Sequence, residues 1–132
     1  MSIQLSHYSG AYGPTLRIGA QCAADLMALR ELFESLATGT AHVIDLSREL
    51  PCERDQVVSL LLATRESEAP ERLVRVGGGR SGQAFEWIGS REEWEERTSK
   101  IDALLSLGEP SHQYLSLEGI DDALVELSLL AG

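Results

Sequence analysis

Hydrophobic and polar residues alternate at the start of the chain. Ile3, Leu5 and His7 are interleaved with Gln4, Ser6 and Tyr8, and beyond Ser9-Gly10-Ala11-Tyr12-Gly13-Pro14 the residues Leu16, Ile18 and Ala20 are interleaved with Thr15, Arg17 and Gly19. A period of two sends successive side chains to opposite faces of a strand, so the two runs predict an opening hairpin. From about Ala23 the period lengthens to three and four: Leu26, Leu29, Phe33 and Leu36, widened by Leu32 and Ala37, predict a helix over about residues 22–38 that stops at Gly39. Val43, Ile44 and Leu46 predict a short strand, and Ser47 to Arg54 a turn. Val57 to Ala63 is apolar on both faces, which predicts a central strand. Ser67 to Glu71 reads as a loop. Leu73–Val76 and Ala84–Ile88 then flank Gly77-Gly78-Gly79-Arg80-Ser81-Gly82 as a second hairpin with a flexible tip.

Ser90-Arg91-Glu92-Glu93 has the form of a capping box, with Ser90 capping a backbone N–H and Glu93 reaching back to the cap residue. The helix it opens carries Trp94, Ile101, Leu104 and Leu105, with Thr98, on one face through about residue 107, and Gly108-Glu109-Pro110 ends it. A closing hairpin follows, His112–Leu117 and Ala123–Leu130 across Glu118-Gly119-Ile120-Asp121-Asp122. The order ββαββββαββ, built from hairpins, predicts an α+β fold: a mainly antiparallel sheet with two helices on one face. Each helix sits between strand pairs, yet no residue-level repeat accompanies that loose symmetry. At 132 residues, with 43% hydrophobic and 24% charged side chains, the chain reads as one domain over 1–132. Its core is large enough to need no metal or disulfide.

Charge changes the picture most. Eleven Lys and Arg stand against 21 Asp and Glu, a net charge of −10 that repels nucleic-acid phosphates and anionic membranes. The acidity is concentrated: residues 83–132 hold eleven acidic and three basic side chains, residues 51–82 five of each. Two cysteines, Cys22 and Cys52, read as buried thiols of a reducing compartment. The start of the chain has neither a basic nor an apolar leader segment, and no apolar run approaches a membrane span, so the expected location is the cytoplasm.

Candidate chemistry is sparse. The Gly77–Gly82 run invites a phosphate-loop reading, but no Lys-Ser/Thr pair or helix follows it. His7, His42, His112, Cys22 and Cys52 are too scattered to suggest a metal site or a Cys-His nucleophile, so neither metal, cofactor nor catalytic residue is expected. Phe85, Trp87 and Trp94 are expected to cluster where the second helix crosses the sheet. Glu92, Glu95 and Glu96 fall on the side of that helix opposite Trp94 and Ile101, and Asp121 and Asp122 add negative charge in a turn. These five carboxylates are the candidate partner-binding residues.

His112-Gln113-Tyr114-Leu115, the acidic turn with Asp121-Asp122, and Val125-Glu126-Leu127-Ser128 together resemble the C-terminal pattern of small stand-alone bacterial immunity-type proteins, which neutralise a cognate toxin. Leu16-Arg17-Ile18-Gly19 leading into a leucine-rich helix is similar to the same group. The resemblance implies an α+β domain without catalysis and assigns no functional residue. The expectation is therefore a small acidic binding protein, an immunity-type inhibitor that engages a basic toxin or another basic protein. Two rivals stand beside it: an enzyme or small-molecule binder whose polar groups converge only in the fold, and a homo-oligomer joined at a hairpin edge.

Overall fold

The computed structural model describes residues 3–10, 13–55, 57–64, 72–79, 82–107, 111–115 and 124–129. The opening alternation forms β1 (Ile3–Gly10) and β2 (Gly13–Ala20), antiparallel from Ile3 opposite Ala20 to Gly10 opposite Gly13. The apolar stripe forms α1 (Ala23–Thr38), which buries Leu26, Leu29, Phe33 and Leu36. The helix ends at Gly39, whose φ of 81° lies in the left-handed region that glycine enters without a Cβ penalty.

The segment read as a turn holds two elements. After β3 (Val43–Asp45), the Asp45 side chain accepts from the Ser47 amide at 3.1 Å and caps a single helical turn, α2 (Leu46–Glu49), and the chain then extends as β4 (Cys52–Asp55). Four-residue elements fall below the window in which a period can be recognised, which is why polarity alone suggested a turn. β5 (Val57–Thr64) follows, and then β6 (Arg72–Gly79) and β7 (Gly82–Gly89) form the second hairpin. Gly77, Gly78 and Gly79 belong to β6 and pair with β7, so the expected flexible tip is largely strand, while Arg80 and Ser81 lie outside the described residues.

The third helix, α3 (Arg91–Leu107), begins with the capping box: the Ser90 amide donates to Glu93 Oε1 at 2.8 Å and the Glu93 amide to Ser90 Oγ at 3.2 Å. Ser90→Ala should therefore lower stability by about 1 kcal/mol, measured by urea denaturation. The chain closes with β8 (Ser111–Leu115) and β9 (Leu124–Leu129), an antiparallel pair.

The fold is α+β, but it has two sheets, ordered β4-β1-β2-β9-β8 and β3-β5-β7-β6. Both are mixed: β1 runs parallel to β4, β2 to β9 and β5 to β7, while the hairpins are antiparallel. The expectation of one mainly antiparallel sheet is thus corrected, and the order gains α2 and β4. Hairpin pairing is set by a short turn and is visible in a sequence. Which hairpins lie side by side is set by where each helix delivers the chain, a non-local outcome.

The register also reveals an internal repeat that the sequence did not show. Each strand of the second hairpin begins 69 residues after its counterpart, Arg72 after Ile3 and Gly82 after Gly13, and both hairpins close on a glycine pair, Gly10 with Gly13 and Gly79 with Gly82. A register shift between Arg75 and Gly77 moves the far half by one, so that Leu73 opposite Trp87 answers to Leu5 opposite Ile18. The buried helix positions Leu26, Leu29, Phe33 and Leu36 each recur 68 residues on as Trp94, Arg97, Ile101 and Leu104. Each repeat places its hairpin in one sheet and two later strands, β3 and β5 or β8 and β9, in the other, so β2 runs parallel to β9 as β7 does to β5, with Leu16 beside Val125, and Phe85 beside Leu60. α2 and β4 fall between β3 and β5, and the corresponding stretch between β8 and β9, residues 116–123, lies outside the described residues.

One core cluster unites both sheets and both long helices. At its centre the rings of Phe33, Trp87 and Trp94 meet edge to face, with centroids 5.0 to 5.7 Å apart. Trp94 Nε1 donates to the Ala63 carbonyl at 2.9 Å. The Arg97 guanidinium, 3% exposed, stacks on both indoles at 4.3 and 4.4 Å and donates to the Ile88 carbonyl at 3.3 Å. Among the described residues no helix is long and apolar enough to cross a membrane.

Candidate functional site

The helix pair builds a cleft on the surface of the described residues. Arg30, Glu34, Ala37 and Thr38 recur at helical spacing along α1, and Glu95, Thr98, Ser99 and Asp102 do so along α3, so two strips face each other across a cleft of about 380 Å³. Burial of Phe33 and Trp94 beneath it fixes the two helices at that separation. Arg30 spans the cleft: its Nε donates to Asp102 Oδ1 at 2.5 Å, its Nη2 to Asp102 Oδ2 at 3.3 Å, and its Nη1 to Glu34 Oε2 at 2.8 Å. The bond to Asp102, against slight desolvation, and the attraction of Asp102 and Glu34 raise the Arg30 pKa above its ordinary value, so the guanidinium is a fixed cation. Three carboxylates to one guanidinium leave the cleft with an excess of negative charge; the Glu95 carbonyl accepts from Ser99 Oγ at 3.2 Å, while its carboxylate has no hydrogen bond or ion pair among the described residues.

Glu92, Glu95 and Glu96 are all exposed, and one of the three lines the cleft. Glu95 faces the cleft, whereas Glu92 and Glu96 lie outside its lining, and Glu31 and Glu34 on α1 and Asp102 on α3 complete an acidic outer surface. Asp121 and Asp122 lie outside the described residues. Sequence reasoning missed Arg30, Glu34 and Asp102, because a charged residue on a helix looks solvated until the neighbouring helix is known. The i,i+4 spacing of Arg30 and Glu34 was the available signal.

A second polar cluster sits on the first sheet. Glu126, 4% exposed, occupies a β9 position between the core residues Val125 and Leu127 and points to the other face. Arg17 Nε donates to it at 2.7 Å, Ser128 Oγ at 2.9 Å and Tyr8 Oη at 3.3 Å, while the Arg17 guanidinium lies 4.9 Å above the Tyr8 ring. Partial burial opposes the charge of Arg17, but hydrogen bonds to Glu126 and Tyr8 and the attraction of Glu126 outweigh it and raise its pKa. The cluster joins β1, β2 and β9 through a compensated ion pair, which suits a structural tie across three strands.

The scattered histidines and cysteines remain apart where they are described. His7 packs on Phe85 with ring centroids 5.3 Å apart, and His42 is exposed ahead of β3. Cys22 donates to Asp25, Cys52 approaches the Leu46 and Leu50 carbonyls, and both thiols are free of disulfides. The side chain of His112 lies outside the described set. Among the described residues no three His, Cys, Asp or Glu side chains gather as metal ligands do. Comparison of the chain with protein-family models, with curated proteins and with solved structures finds no match.

Proposed function

We propose that this protein is a non-catalytic binding domain that engages a basic protein through the outer face of α1 and α3, acting in the cytoplasm, with inhibition of a basic toxin as the particular role. The observation that carries the reading is the set of exposed carboxylates on that face, Glu31, Glu34, Glu92, Glu95, Glu96 and Asp102, where Arg30 is already engaged by Glu34 and Asp102. A clustered field of this kind accelerates encounter with a cationic surface and leaves Glu95 available to an incoming Lys or Arg.

The test begins with affinity capture from extracts of the source cells, followed by purification of the captured protein and stopped-flow measurement of association. Wild-type association should slow as ionic strength rises and the screening length falls to about 10 Å and below. The triple variant Glu92→Lys, Glu95→Lys and Glu96→Lys should associate at least about tenfold more slowly at low salt. The same variant should lose about 1–3 kcal/mol of stability, because three cations near the α3 N-terminus oppose its dipole; circular dichroism must show it folded first. A folded triple variant that associates as fast as wild type would remove the helix face from the interface.

A further inference from the structure

The repeat makes the groove between α1 and α3 symmetric in form and asymmetric in chemistry. Counterparts in the two helices lie 68 positions apart, and two such pairs, Arg30 with Thr98 and Glu34 with Asp102, line the same cleft, so the repeats meet at its middle. Arg30 bonds to Asp102 while Ala37 and Thr38 share the cleft with Glu95, so the helices run antiparallel and the groove has two equivalent ends. Glu95 stands at one of them. Its counterpart is Met27, which continues the strip of Arg30 and Glu34 by one turn toward the start of α1 and is 56% exposed. The counterparts of Ala37 and Thr38 are Leu105, packed against the core, and the exposed Ser106. An exposed thioether thus takes at one end the position that a carboxylate takes at the other.

Charge and spacing identify the occupant. In the middle of the groove Glu34 and Asp102 are both engaged by Arg30, whereas no described residue engages the Glu95 carboxylate. A second copy of this face would set carboxylates against carboxylates in a chain of net charge −10. A cation at Glu95 and an apolar group on Met27 complement what each end presents. From Met27 to Thr38 the strip covers eleven positions, about 16 Å of helix, and residues eleven apart on a helix return to the same face. A groove between two helices receives a third through side chains on one such face. We infer that the α1–α3 groove seats one amphipathic helix of the basic partner, with a lysine or arginine beside Glu95 and an apolar side chain, eleven positions away, on Met27. Resting on the helix face as the interface, this arrangement adds an apolar anchor that charge alone does not specify.

The test titrates the full chain with blocked, alanine-rich helical peptides of about 18 residues and follows the Glu95 amide and the Met27 methyl group by NMR. One probe carries arginine and leucine eleven positions apart; the other has the same composition with the two nine apart, on opposite faces of the helix. At about 1 mM the first probe should shift both signals, and it should bind at least about threefold more tightly than the second. Met27→Ser and Glu95→Gln, each at an exposed position, should each weaken binding of the first probe by about threefold or more. No shift with the first probe overturns the proposal. Equal binding of the two probes, or a loss on Glu95→Gln without one on Met27→Ser, overturns the seated helix and leaves the charged interface standing, which the association rate of the triple lysine variant decides separately. Shifts at both signals that grow with protein concentration in the absence of peptide overturn the proposal in favour of a second copy, and equal shifts with N-acetylarginine methylamide do so in favour of a small free cation.

Discussion

Replacement of Trp94 by alanine is expected to remove about 3–5 kcal/mol of folding stability, the range for truncating a large aromatic in a packed core. Trp94 is completely buried, and it holds the two repeats together: its ring meets Phe33 of α1 and Trp87 of β7, each at 5.0 Å. Its indole N–H donates to the Ala63 carbonyl of β5, so truncation also removes that buried hydrogen bond. Arg97 would lose one of the two rings on which its guanidinium lies. Urea denaturation would show a lower midpoint, and near-ultraviolet circular dichroism a weakened tryptophan signal. A change below about 1 kcal/mol would mean that the aromatic cluster is not the junction described here.

The next largest effect is expected at Gly89, and its argument is one of space. A Cβ there would come within 2.9 Å of Arg97 Cζ and closer still to Nη1. An arginine tip ordinarily swings aside, but this one is buried between two indoles and cannot do so without breaking the stack. Gly89→Ala should cost about 2–3 kcal/mol as overpacking. Gly39→Ala provides the contrast: a Cβ there also runs into an arginine tip, but Arg91 is exposed rather than buried between two rings, so the larger cost is the left-handed backbone penalty of about 1–2 kcal/mol. In an Arg97→Met background the Gly89→Ala cost should shrink, because the obstructing guanidinium is gone, and a double-mutant cycle measures that coupling. Equal costs in both backgrounds would reject the steric account.

The cleft illustrates how far a site of this kind can be read in advance. Glu95 is singled out by its place opposite Trp94 on the helical wheel, a consequence of periodicity within one element. Arg30 and Asp102 are 72 positions apart, and nothing along the chain relates them. Their meeting follows from the packing of Phe33 on Trp94, which sets the two helices side by side. The Glu126 cluster shows a different limit. The alternation in β9 assigns Glu126 to the face away from the core, but its burial follows from what lies over that face, and its partners Arg17 and Tyr8 come from the other end of the chain.

By itself the sequence determined the elements whose causes are local. The period-two runs at Ile3–Leu5 and Leu16–Ala20 gave strands joined by a glycine-bounded turn, the stripe from Leu26 to Leu36 gave α1 with its stop at Gly39, and Ser90 with Glu93 marked the start of α3 within one residue. Each rests on interactions among residues a few positions apart. Only the tertiary structure decided that β2 lies parallel to β9 and β5 to β7, that two sheets form, and that α2 and β4 intervene. It also decided that two repeats are superimposed in register although Leu29 of one is answered by Arg97 of the other. A repeat can survive such a replacement because what recurs is a buried position facing the shared core, and that core accepts a guanidinium once two indoles are there to stack on it.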